Sequence, residues 1–66
     1  MPVAKIIELS AESREGFDHA VKLGLEKATT TINNVRSVWI KDQEVVVNNG
    51  RIDGFRVHMK VTFELD

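Results

Sequence analysis

The sequence of 66 residues contains no cysteine, no tyrosine, one proline and one tryptophan. The absence of cysteine excludes disulfide staples and cysteine-based metal sites. No apolar stretch reaches the length of a membrane span or resembles a signal peptide, which predicts a soluble, cytoplasmic protein. Nine basic and ten acidic residues leave a net charge of −1, so no electrostatic argument supports a nucleic-acid partner.

Motifs for catalysis are missing as well. The sequence has no glycine-rich phosphate loop, no zinc-protease motif, no internal repeat and no recognisable set of nucleophile, base and acid. His19 and His58 fall on different predicted elements, so we expect no metal site and no enzyme activity. Residues 1–66 are predicted to form a single domain. A chain of this size buries only about 60 % of its unfolded surface, which favours association with further copies of itself.

The first half of the sequence predicts a strand followed by one amphipathic helix. Residues 3–10 form the predicted strand, and Ser13 is the predicted N-cap of a helix over residues 14–32. Asn33 and Asn34 are expected to end the helix, because asparagine tolerates the left-handed conformation. Spacings of three, four and seven mark one buried helix face, made of Phe17, Ala20, Val21, Gly24, Leu25, Ala28 and Ile32.

The second half predicts a long hairpin. Residues 35–47 and 51–65 flank Asn49-Gly50, which is a strong signal for a tight turn between antiparallel strands. If these two residues form the turn, the numbers of paired residues sum to 99. The register then assigns pairs to two faces: Val38–Val61 and Ile40–Met59 toward the core, and Trp39–Lys60, Lys41–His58 and Gln43–Arg56 away from it.

Toward the tip of the hairpin the apolar pattern reverses. The same register assigns Val45, Val47 and Ile52 to the face of Trp39, and Glu44 and Asp53 to the core face. A strand of thirteen residues spans about 43 Å, whereas a helix of nineteen residues covers about 29 Å, so the tip extends beyond the helix. A bulge near Gln43 is the alternative that restores the alternation. The overhanging tip predicts self-association in either case.

Four segments of the sequence together resemble the dodecin family: SAESREGFDHAV, INNVRSVWIKDQEV, NGRIDGFRVHMKV and TFELD. Dodecins are small α+β proteins of the order β-α-β-β, in which a three-stranded antiparallel sheet partly wraps one helix. The resemblance implies this fold, with the third strand between the first and the second. It also implies a hollow homododecamer and a bound flavin, either riboflavin or FMN.

The resemblance also implies a candidate ligand site, which consists of Ser37, Trp39, Gln43, Glu44 and Arg56. In flavin-holding members the paired flavin rings stack on a tryptophan early in the second strand, at the position of Ser37 here. Those members present a glutamine in the third strand, at the position of Arg56 here. Serine offers no ring face and arginine carries only donors, so the flavin N3–H loses its acceptor and weak flavin affinity is expected.

Trp39 lies two residues from Ser37 on the same face and has two interpretations. It anchors a subunit interface, or it forms a displaced platform for a ligand. The corresponding functions belong to different classes. One is a shell that binds and stores flavin-like small molecules, and the other is a structural shell that takes ions or other ligands and no flavin.

Overall fold

The computed structural model describes residues 3–66 and contains one sheet and one helix. In chain order the elements are β1 (Ala4–Ser13), α1 (Phe17–Thr29), β2 (Val35–Asn48) and β3 (Arg51–Glu64). The sheet is antiparallel with the order β1-β3-β2. The predicted β-α-β-β order and the central position of the third strand are confirmed.

The boundary between β1 and α1 differs from the prediction. The strand continues to Ser13, which pairs with Phe55 of β3, because the long central strand offers backbone partners beyond residue 10. Ser13 is therefore not the N-cap. Gly16 occupies that position, and the Ser13 hydroxyl instead accepts a hydrogen bond from the backbone N–H of Glu15 at 2.9 Å. The helix begins three residues later than its apolar spacing suggests.

The helix also ends three residues earlier than predicted. Thr30 and Thr31 lie beyond the last helical residue, and the Thr30 hydroxyl donates to the carbonyl oxygen of Lys27 at 2.6 Å. Threonine has a weak helix propensity, and such local hydrogen bonds compete with further helical turns. Asn34, with φ of 62°, adopts the left-handed conformation that was expected of the asparagine pair.

The core lies between the apolar face of α1 and one face of the sheet. Ala20, Val57, Met59 and Val61 are at most 1 % exposed. Gly24 permits the close approach, because a Cβ atom at this position would lie 2.7 Å from Cε of Met59 and 3.2 Å from Cβ of Ala11. The helix packs mainly on β1 and β3 and leaves much of β2 uncovered on this side.

The turn between β2 and β3 follows the prediction. Asn49 and Gly50 have φ values of 52° and 74°, as a tight hairpin turn requires. The adjacent pair Asn48–Arg51 agrees with the predicted register, as do Val38–Val61, Trp39–Lys60 and Ile40–Met59.

Between these two regions the register differs from the prediction because of bulges. Lys41 is an extra residue in β2, so His58 pairs with Asp42 rather than Lys41, and Gln43 pairs with Val57 rather than Arg56. A second irregularity near Val47 restores the predicted register at the tip. The bulge that was considered near Gln43 thus lies two residues earlier, and it moves every following side chain of β2 to the other face.

The bulge at Lys41 reverses the predicted faces near the tip. Val45 pairs with Phe55, whose ring meets that of Phe17 on α1 at 5.1 Å between centroids, so Val45 lies on the helix side of the sheet. By strand alternation Val47 and its partner Ile52 lie on the same side. We call Val45, Val47 and Ile52 the arm surface.

The arm surface has no cover within the chain. A helix of 13 residues covers only about 20 Å, whereas the molecule is 50 Å long. Val47 and Ile52 are consequently 61 % and 63 % exposed. The predicted overhang is confirmed, but it lies on the opposite face from Trp39.

Candidate functional site

The candidate residues lie along the face of the sheet that α1 does not cover, which we call the helix-free face. Trp39 of β2 pairs with Lys60 of the central strand, and its side chain lies on this face because Val38 and Ile40 lie toward the core. The indole is 65 % exposed. The Nζ atom of Lys60 lies 5.1 Å from the centroid of the ring, within the range of a cation–π contact.

Hydroxyl and aliphatic groups surround this aromatic ring along the strands. Ser37 of β2 and Ile6 of β1 both pair with Thr62, which lies two residues from Lys60. We call Ile6, Ser37, Trp39, Lys60 and Thr62 the Trp39 surface. Ile6 is 58 % exposed, so the surface has two apolar side chains, one ammonium group and two hydroxyls. These groups suit a planar ligand with polar substituents.

Arg56 lies further along the central strand and pairs with two acidic neighbours. Its Nε and Nη2 atoms lie 3.0 and 2.8 Å from Oε1 of Glu12, and its Nη1 atom lies 3.1 Å from Oε1 of Glu44. These carboxylates come from the two outer strands and flank the guanidinium. Hydrogen bonds to Glu12 and then to Glu44 raise the pKa of Arg56. The side chain is therefore held within its own subunit.

Glu44 is shared between Arg56 and His58. The same Oε1 atom lies 3.2 Å from Nε2 of His58, and Asp42 approaches that nitrogen at 3.7 Å. The hydrogen bond from His58, followed by the one from Arg56, lowers the pKa of the Glu44 carboxyl. The helix-free face thus carries a mixed-charge cluster next to the Trp39 surface.

The structure brings together four of the five predicted site residues on one face and separates the fifth. Ser37 and Trp39 belong to the Trp39 surface, and Glu44 and Arg56 belong to the charged cluster. Gln43 pairs with the buried Val57 and therefore lies on the helix side. The predicted register contained no bulge and therefore paired Gln43 with Arg56.

Two residues of the helix-free face, Glu12 and Lys60, were not among the site residues predicted from the sequence. Glu12 was placed beyond the end of the first strand, whereas it pairs with Arg56. Lys60 was placed correctly opposite Trp39 but was not included in the site. The alternation of Arg56, His58, Lys60 and Thr62 along β3 was a signal for a common polar face, and it could have identified Lys60.

Acidification is expected to weaken the charged cluster. Because the folded-state pKa of Glu44 is lowered, the stability from this carboxylate is present above its ordinary pKa and is lost as the pH falls through the lowered value. We expect the Glu44→Gln variant to melt a few degrees lower than the unaltered protein at pH 7, and the difference to shrink toward pH 3.

Thermal unfolding followed by circular dichroism at fixed protein concentration measures this pH dependence. Glu26→Gln is the matched control, because Glu26 is an exposed helix carboxylate that takes part in no ion pair of residues 3–66. Its melting curve should follow that of the unaltered protein. A difference for Glu44→Gln that stays constant from pH 7 to pH 3 would contradict the role of the carboxylate charge.

Residues 3–66 contain no group of three or more histidine, cysteine or acidic side chains arranged to hold a metal ion. Within the same range, the single helix is too short and too polar to cross a lipid bilayer.

Known protein families and solved structures include close matches to this fold. The model of the family described as Dodecin matches residues 3–66. A dodecin from Streptomyces davaonensis has 29 % sequence identity and a TM-score of 0.93, and the match covers 98 % of this chain and 96 % of that chain. No curated protein matches.

More distant structures share the fold. The tt0972 protein from Thermus thermophilus is 24 % identical with a TM-score of 0.93, and the match covers 100 % of this chain and 97 % of that one. A calcium dodecin from Mycobacterium tuberculosis, described as calcium-chelating, is 19 % identical with a TM-score of 0.86. That match covers 97 % of this chain and 91 % of the other.

Proposed function

Since this chain belongs to the dodecin family, we propose that it assembles into a closed homododecameric shell that binds and stores a flavin-like planar molecule with weak affinity. The assembly has a mass of about 90 kDa, twelve times the 7.5 kDa of one chain. The copy number comes from the resemblance to the family. Dodecins are binding proteins, and the proposed role involves no covalent chemistry and lies in the cytoplasm.

The observation that carries the proposal is the presence of two exposed apolar surfaces on opposite faces of the sheet. The arm surface lies on the helix side, and the Trp39 surface lies on the helix-free face. One self-complementary patch closes a dimer and goes no further, whereas two different patches allow contacts about different symmetry axes. Two such patches on one small chain support a closed shell rather than a dimer.

Trp39 supports the ligand part of the proposal. An indole that is 65 % exposed offers a flat apolar face, and a twofold axis nearby would bring two such rings together. A planar aromatic ligand between them would be desolvated on both sides. Trp39 therefore provides, two residues along the strand, the stacking face that Ser37 lacks.

The contacts of Arg56 support the weak flavin affinity in the proposal. The guanidinium donates to Glu12 and Glu44, which hold it in place, and it provides no acceptor for the N3–H group of a flavin. A buried donor without a partner costs about 1–3 kcal/mol, which is roughly a factor of 5 to 160 in affinity. Flavin affinity should consequently be set by stacking on Trp39.

Titration with riboflavin and FMN tests the ligand. Trp39 is the single tryptophan of the chain, so its fluorescence reports the site directly. We expect quenching with a dissociation constant of about 1–100 µM, since stacking without edge recognition supplies only part of the binding free energy. In the Trp39→Ala variant, flavin affinity, measured by the fluorescence of the flavin itself, should fall at least tenfold. Unchanged affinity would refute the role of Trp39 as the stacking platform.

A second candidate function is a shell that takes no flavin. The ion pairs of Arg56 with Glu12 and Glu44 favour this alternative. The carboxylates on the helix-free face favour it as well, because assembly of several copies would bring further carboxylates near them. They are Glu12, Asp42 and Glu44. The match to a calcium dodecin is compatible with this alternative. A 90 kDa assembly whose Trp39 fluorescence responds to neither flavin would identify it.

A further inference from the structure

Arg56 and Lys60 lie close together along the central strand on the helix-free face, and their electrostatic environments differ. Arg56 is neutralised by Glu12 and Glu44. Lys60 makes no ion pair with any carboxylate among residues 3–66. Its strand neighbour Glu8 is engaged instead by Lys41, with 3.3 Å between Nζ and Oε1. Lys60 is thus the uncompensated charge beside the exposed indole.

The position of the ammonium group makes this charge relevant to any stacked ligand. It lies 5.1 Å from the centroid of the Trp39 ring. A cation–π contact at an exposed site is weak, so an incoming ring can move the flexible lysine from the face of the indole to its rim. From the rim, the ammonium still reaches a substituent of the bound ring.

Hydroxyl groups lie next to this charge. Thr62 is two residues from Lys60 on the same face of β3, and it pairs with Ser37 of β2. Hydroxyls donate hydrogen bonds to the oxygen atoms of phosphate or carboxylate groups. One ammonium and two hydroxyls beside a flat apolar ring form a set that complements an aromatic ligand with an anionic substituent.

We propose that Lys60 determines the charge specificity of the Trp39 surface, which selects planar aromatic ligands that carry a phosphate or carboxylate group over their neutral counterparts. Thr62 and Ser37 contribute hydrogen bonds to that group. The inference rests on the proposed function, because it assigns the ligand class of the same surface. It predicts that FMN binds more tightly than riboflavin.

The experiment compares FMN with riboflavin, since the two share the ring system and ribityl chain and differ by the phosphate. At low ionic strength we expect FMN to bind about five- to tenfold more tightly, because a phosphate of nearly two charges about 5 Å from an ammonium gains a modest free energy in water. The ratio should fall toward one in 0.5 M salt, where exposed charges are screened.

Variants identify the residue responsible. Lys60→Gln should bring the ratio of the two dissociation constants, measured for both flavins in the same variant, to within twofold of one. Thr62→Val, which keeps the shape of the side chain, should weaken FMN two- to threefold and riboflavin less. Lys22→Gln is the matched control, because it removes one positive charge from the exposed side of α1 and should keep the full preference.

The possible results separate this inference from the proposed function. Equal dissociation constants for the two flavins in the unaltered protein, or a preference that survives in Lys60→Gln, would overturn the inference and leave a flavin-binding shell intact. Failure of both flavins to quench Trp39 would overturn the ligand part of the proposed function and the inference with it.

Discussion

Replacement of Val57 by aspartate is expected to abolish folded protein. Val57 is fully buried beneath α1, beside Ala20 and Met59, and no cationic partner lies in this apolar layer of the described chain. An unpaired buried charge costs several kcal/mol, and a protonated carboxyl still lacks hydrogen-bond partners there. The total stability of small domains is only about 5–15 kcal/mol, so the native state of this short chain should be lost.

The soluble fraction after expression and the far-ultraviolet circular dichroism spectrum measure this effect. Thr62→Asp is the matched control, because it introduces the same residue into the same strand but on the helix-free face near Lys60. That variant should fold. Equal losses of folded protein in both variants would show that the two faces of β3 are wrongly assigned.

The second large effect is expected at the arm surface. Val47 and Ile52 form a cross-strand pair, and each is more than 60 % exposed. Val47→Glu combined with Ile52→Lys removes the apolar surface, while the two opposite charges still pair across the strands and preserve the hairpin. Since burial of each aliphatic side chain contributes about 1.5–3 kcal/mol and every copy is changed, we expect the assembly to dissociate.

Light scattering coupled to size-exclusion chromatography measures the mass at micromolar concentration. The unaltered protein should elute as a single species of about 90 kDa, twelve times the 7.5 kDa chain, and the double variant should elute at a small fraction of that mass. Circular dichroism tests whether the released chains stay folded. Asn48→Glu, a polar change at the next pair with Arg51, should retain the assembly.

Two outcomes would contradict the role of the arm surface. Retention of the full mass by the double variant would show that the arm does not form an interface. A stable, folded monomer of the unaltered protein at the same concentration would contradict self-association altogether.

Short-range patterns in the sequence were reliable guides to the local structure. Local patterns correctly predicted the Asn49-Gly50 turn, the two strand pairs nearest to it and the pairs of residues 37–40, because turn chemistry and alternation act over a few neighbouring residues. The buried helix face was also correct at Ala20, Gly24 and Ala28. The order of elements and the family resemblance depended only on such local patterns.

The bulge at Lys41 was the main feature that local patterns did not place. A bulge adds one residue to one strand, and its position depends on how both strands twist and pack against the helix. Its consequences are large, since it moves Gln43 to the helix side and Glu44 to the side of Arg56. Four of the five candidate residues therefore lie on one face of the sheet, whereas Gln43, whose predicted position depended on the register, lies on the other.

The sequence by itself determined the element order, the turn, the apolar face of the helix and the single exposed tryptophan, since periodicity and turn residues are properties of the chain alone. Only the tertiary structure decided that the arm surface and the Trp39 surface face opposite ways, and that Arg56 is held by Glu12 and Glu44 whereas Lys60 is not. These features arise from pairing between strands distant in sequence. Such pairing depends on the whole sheet, because each hydrogen-bonded register is set by packing and twist rather than by the residues of one strand.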